Sequence, residues 1–121
     1  MSAELLGLLE GVLTVRISGK LTQPELAEVQ KAAGSIIDQQ GKGRFLVIID
    51  DFQGTDKGGD WSDMSFQVHY DPFIEKIAIV GDKKYEELTF MFTGKGFRRV
   101  AIEYFQPNEL AKARVWLAAG S

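Results

Sequence analysis

Few residues in this chain have the chemistry to act on a substrate. His69 is the only histidine, with Asp63 and Asp71 near it in sequence, so it could serve as an acid or base beside a carboxylate. Its place at a predicted helix end, next to Tyr70 and Asp71, suits a surface or capping residue better. Asp50 and Asp51 close a buried run, at the strand end where open α/β sheets collect ligands. Neighbouring residues on a strand point to opposite faces, so the two carboxylates do not make an acid/base dyad; either would bind a cation or cap the next turn. Gly54, Gly58 and Gly59 follow them without the Gly-Lys-Ser/Thr ending of a phosphate loop or a Gly-x-Gly-x-x-Gly fingerprint. With no cysteine and one histidine, no metal site can be assembled in the usual ways. The expectation is no catalytic centre, no metal and no cofactor; an enzyme using His69 with Asp50 or Asp51 is the weakest reading.

Apolar side chains carry more information. In a helix expected from Trp61 to Tyr70, Trp61, Met64 and Val68 form one stripe and Phe66 falls off it. In a helix expected from Asp82 to about Phe92, Tyr85, Leu88, Thr89 and Phe92 share a face, whereas Phe90 and Met91 do not. One helix cannot turn all of these toward a single sheet. A surplus of aromatic and methionine side chains marks a ligand pocket, a membrane-facing patch or a partner surface. Lys83, Lys84, Lys95, Arg98 and Arg99 add a local basic cluster, the composition of a surface that meets anionic headgroups. The candidate contacts are therefore Trp61, Met64, Phe66, Phe90, Met91 and Phe92 for an apolar ligand or membrane, with Lys83, Lys84 and Arg98 for an anion. A homodimer would hide the same surface by symmetry.

The elements that must position these residues follow from periodicity and punctuation. Leu5–Leu9 and Val12–Ser18, separated by Glu10-Gly11, predict a hairpin. Thr22, Pro24 and Glu25 supply a cap, a first-turn proline and a capping-box glutamate. Leu26, Val29, Ala33, Ile36 and Ile37 then continue at helical spacing to about Gln40, where Gly41 and Gly43 end the helix. Phe45–Ile49 has no polar break, as in a strand covered on both faces. A glycine-rich loop from Gly54 to Gly59 is expected next, then the helix from Trp61. Ile77–Val80 and Arg98–Phe105 read as further strands, and Pro107 opens a last helix ending near Ala119. The order β-β-α-β-α-β-α-β-α predicts an α/β domain: a mixed sheet with an N-terminal hairpin and about four helices, spanning residues 1–121 as one unit.

Gly19-Lys20-Leu21-Thr22, Asp50-Asp51-Phe52, Ile77-Ala78-Ile79-Val80-Gly81-Asp82 and Ala113-Arg114-Val115-Trp116-Leu117 together resemble the SpoIIAA-like family, whose fold is shared with STAS domains and anti-sigma-factor antagonists. The resemblance implies a small regulatory or ligand-binding module. In the antagonists, the loop after the central strand carries an Asp-Ser dipeptide whose serine is phosphorylated. The corresponding stretch here, Gly54 to Ser62, has no such dipeptide, and Asp56 and Asp60 already place negative charge there. Thr55, Asp56 and Ser62 are the candidate contacts if this loop binds a protein partner in the antagonist manner.

Composition bounds the partners. A formal charge of −3 over 121 residues and a pI near 5.1 argue against nucleic acid, which is held by an excess of Lys and Arg. No segment approaches the roughly 20 apolar residues of a spanning helix, so the expected setting is cytoplasmic, with peripheral membrane contact as the variant. The expected partners are a lipid or small apolar ligand, a protein partner, or a second copy of the chain.

Overall fold

A computed structural model describes residues 2–9, 11–56, 58, 65–93 and 100–119, with the backbone alone at 9, 88 and 91–93. Strand β1 (Ala3–Leu9) turns back into β2 (Val12–Leu21) with Leu9 opposite Val12. Gly11 takes φ 79°, as the primed turns that suit a twisted hairpin require. Thr22 then caps α1 (Gln23–Gln40), its hydroxyl accepting from the Glu25 amide at 3.4 Å. Gly41 ends the helix in the left-handed region, donating to the Ile37 carbonyl at 2.7 Å.

Strand β3 (Gly43–Thr55) is 13 residues long. It therefore includes Asp50, Asp51 and Gly54, where a loop was expected to begin. After residue 64 come α2 (Ser65–Tyr70), a 3-10 turn at Asp71–Phe73 and β4 (Ile74–Val80). Asp82 caps a 3-10 turn at Lys83–Tyr85 that runs into α3 (Glu86–Thr93). β5 (Ala101–Phe105), a second proline-led turn at Pro107–Glu109 and α4 (Leu110–Ala118) complete the chain. Among the described residues, three helices have eight residues or more; the expected Trp61–Tyr70 helix is described only as the six-residue α2.

The strands lie in the order β1-β2-β3-β4-β5, antiparallel between β1 and β2 and parallel thereafter. Helices α1, α2 and α3 pack on one face against Leu13, Val15, Ile17, Phe45, Val47, Ile77 and Ile79. Helix α4 covers the other face through Ala113 and Leu117 on Leu46, Ala78 and Val80. Alternation along β3 supplies both cores, which is why its apolar run is unbroken. Beyond the edge of α4, that second face carries a polar ladder, in which Arg16 meets Glu4 at 3.3 Å and Asp50 at 2.5 Å.

Monotonic strand order bears on the strand end at Asp50 and Asp51. A crevice at strand ends forms where neighbouring connections leave on opposite faces of the sheet. The connecting helices α1, α2 and α3 all pack on one face, so no such reversal places a ligand at Asp50 and Asp51. Instead Asp51 sits at φ 50° in a bulge, where Ser18 faces Asp50 and Gly19 faces Phe52. Bulges re-aim the strand at such points.

Candidate functional site

The site grows out of the face of α1. Leu26, Val29 and Ala33 recur at helical spacing and turn toward β2 and β3, where Val15, Ile17, Phe45 and Val47 alternate inward. The short α2 is laid across α1 by one contact. A Cβ on Gly34 would lie 2.8 Å from the Tyr70 ring, so glycine alone lets the ring cross α1 at that height. The Tyr70 hydroxyl then donates to Asp38 at 3.1 Å, and burial with the nearby Asp38 carboxylate pushes its pKa upward. Phe66, one turn back from Tyr70, packs on the Tyr70 ring at 5.0 Å between centroids.

Between these elements lies a cavity of about 90 Å³, lined by Val15, Ile17, Leu26, Val29, Gln30, Ala33, Phe45, Val47, Phe66, Gln67, Ile74 and Ile77. None of these side chains is charged. Oε1 of Gln67 is a buried oxygen with no hydrogen-bond partner among the described residues. On the outer side of α1 and α2 is a groove of about 410 Å³ that reaches Lys31, Ser35, Ser65 and Tyr70. Gln30 and Phe66 line both spaces, so they form the partition between them.

Phe66, which falls off the expected stripe of α2, is half-buried against the main core, and Val68, expected on that stripe, is 77% exposed. The inward face of α2 is thus Phe66 and Tyr70, four residues apart, and not Val68. Phe90, expected off the buried face of α3, packs toward the core and sets its ring edge-on to Tyr104 at 5.7 Å. Thr89 is fully buried, its hydroxyl donating to the Tyr85 carbonyl at 2.7 Å. Lys83 and Lys84 are exposed at the start of α3, with Lys84 over the Tyr85 ring at 5.1 Å. Thr55 is exposed at the end of β3, and the Asp56 carboxylate accepts from the Gly58 amide at 3.1 Å. Trp61, Ser62, Met64 and Arg98, and the side chains of Met91 and Phe92, lie outside the described residues.

His69 is exposed with its ring against Tyr70 at 4.5 Å, and among the described residues no ion pair joins it to Asp50 or Asp51. Among the described residues no group of three or more His, Asp or Glu side chains could hold a metal. No described helix is long and apolar enough to cross a membrane.

Sequence reasoning missed Gln30, Gln67 and Gly34. Gly34 did leave a signal: a glycine inside a long helix costs about 1 kcal/mol against alanine, which flags a close approach. The two glutamines left none, since a polar residue beside an inward aromatic reads as solvated until the tertiary fold buries it.

A SpoIIAA-like family model matches residues 12–118. The chain belongs to the SpoIIAA-like family. Its fold is similar to that of an uncharacterized protein from the DUF3478 family with a SpoIIAA-like fold, from Shewanella loihica PV-4. The two share 17% sequence identity and a TM-score of 0.76 over 97% of this chain and 94% of that one. No curated protein sequence matches the chain. The matched SpoIIAA-like region contains the whole of β2, α1, β3, α2 and β4, hence every wall of the cavity.

Proposed function

We propose that this SpoIIAA-like protein is a non-enzymatic binding and regulatory module that takes a small apolar or lipid-like ligand between α1, α2 and the sheet. The observation that carries this reading is the uncharged cavity behind Phe66. A void lined by aliphatic and aromatic side chains gains dispersion contacts and loses unfavourable hydration when an apolar molecule fills it. At about 90 Å³ it is smaller than a cavity of about 150 Å³ that accepts benzene. A whole acyl chain, or a whole aromatic ring, is therefore too large to be enclosed; a ligand, toluene included, places one end in the cavity and the remainder in the outer groove past Gln30 and Phe66.

The inward placement of Phe66 and Phe90 favours a pocket over a membrane-facing patch. Toluene serves as the probe. Thermal unfolding with and without toluene should show stabilisation of the wild type by mass action, and Ala33→Leu, which fills the cavity, should abolish it. Equal stabilisation of both proteins would sink the pocket. Flotation on anionic vesicles that survives Ala33→Leu would move the function to the surface.

A second reading rests on β3 itself. Its pairing with β4 ends at Ile48 and Val80, and beyond that point Asp51, Gln53 and Thr55 are exposed in alternation. Such a projecting polar strand end, with Asp56 and Ser62 following, suits an antagonist-like contact with a protein partner. Capture of a partner that is unaffected by changing Thr55, Asp56 and Ser62 together would remove it.

A further inference from the structure

Resting on the pocket reading above, we infer that the end of the ligand held in the cavity is neutral, an apolar group with one hydrogen-bond donor, a hydroxyl or N–H, which is received by Oε1 of Gln67. Two observations carry this. The cavity wall holds no Lys, Arg or His among the described residues, so an ionised carboxylate or phosphate would be desolvated there without a partner, at a cost that keeps charged groups out of such sites. The same wall contributes Gln67, whose Oε1 is buried and unpartnered.

A buried amide oxygen without a donor is destabilising by itself and is rarely retained. A ligand donor removes that penalty, whereas a purely apolar ligand leaves it in place. The terminal torsion of glutamine is soft, so the amide can swing to meet a donor in the cavity without disturbing α2. Phe66, adjacent in sequence, supplies the apolar wall beside it. The acceptor and the ring together describe the end held in the cavity as of alcohol or phenol type, not a carboxylate.

Phenol, toluene and benzoate separate the terms, because phenol and toluene differ by hydroxyl against methyl and benzoate is ionised at pH 7. Binding of each to the full chain is measured by NMR titration, for wild type, Gln67→Leu and Gln67→Met. The expected result is phenol bound about fivefold more tightly than toluene by wild type, no detectable benzoate binding, and a preference that inverts in both variants. Equal affinity for phenol and toluene, a phenol preference that survives both substitutions, or benzoate as the tightest ligand would overturn the donor assignment while leaving an apolar pocket. Failure of toluene and phenol alike to bind would overturn the pocket reading with it.

Discussion

The two faces of the sheet are finished differently. On the α4 face the core is small, and its open helix end is closed by cations from the strands beneath. Arg44 donates to the Leu117 and Ala119 carbonyls and pairs with Glu75 at 2.9 Å, while Lys76 donates to the Trp116 and Ala119 carbonyls at 2.8 and 3.2 Å. Lys76 also lies over the Trp116 ring at 5.0 Å. Helix C-termini leave four carbonyls without partners, and here two side chains of neighbouring strands reach those of Trp116, Leu117 and Ala119. On the α1 face, by contrast, three helices cover a larger core and leave both a void and a buried oxygen without a partner among the described residues. Among the described residues, the one buried side-chain polar atom without a partner thus lies on the face that also holds the void.

Breaking either face should reveal that difference. The largest loss is expected at Gly81, the tight end of the three-helix face, where a Cβ would come within 2.7 Å of the Tyr104 hydroxyl and 2.8 Å of the Ile49 Cβ. The Ile49 Cβ is anchored to its strand and cannot swing aside, so Gly81→Ala should cost about 2–3 kcal/mol in urea unfolding. Arg44→Ala should cost about 2 kcal/mol, since it removes charge-assisted bonds to carbonyls and leaves Glu75 half-buried without its partner. Gln67→Leu should do the reverse and stabilise by about 1 kcal/mol, because the orphaned oxygen goes with it. A destabilising Gln67→Leu would mean that Gln67 has a structural partner and that the contrast between the faces is false.

Titration gives the smallest effects. The Arg44 side chain holds the Glu75 carboxyl below its usual range, and the Ser2 hydroxyl, with Thr22, does the same for Glu25. A depressed folded-state pKa contributes stability that is complete above the unfolded value near about 4.3 and is lost as pH falls through the folded value. Glu75→Gln and Glu25→Gln should each flatten the fall in stability below about pH 4.3, one on each face. Burial pushes the Tyr104 phenol up to about 12, so its contribution is complete below about pH 10 and lost as pH rises toward the folded value. Tyr104→Phe should remove that alkaline loss.

Much of the architecture was legible because it follows from local chemistry. Thr22, Pro24 and Gly41 bound α1, the Phe45–Ile49 run marks a strand buried on both sides, and Pro107 opens the last helical segment. The extent of β3 was not legible, because Asp50, Asp51 and Gly54 are poor strand residues taught to pair only by the neighbouring end of β2, through bulges. The inward face of α2 was hidden for a related reason. The Tyr70 ring over Gly34 fixes its rotation from a distance of 36 positions in sequence. The cavity itself is a difference between packed volumes, which no local pattern encodes.

The central claim is that the molecule binds on its three-helix face and not on its α4 face. Methyl-resolved NMR during a toluene titration tests this most directly, because probes stand on both sides of one sheet. The account predicts saturable shifts at Val15, Val29, Val47 and Ile77 with Leu46, Val80 and Leu117 unmoved. Shifts of equal size on both faces, or none at the cavity methyls at toluene saturation, would contradict it.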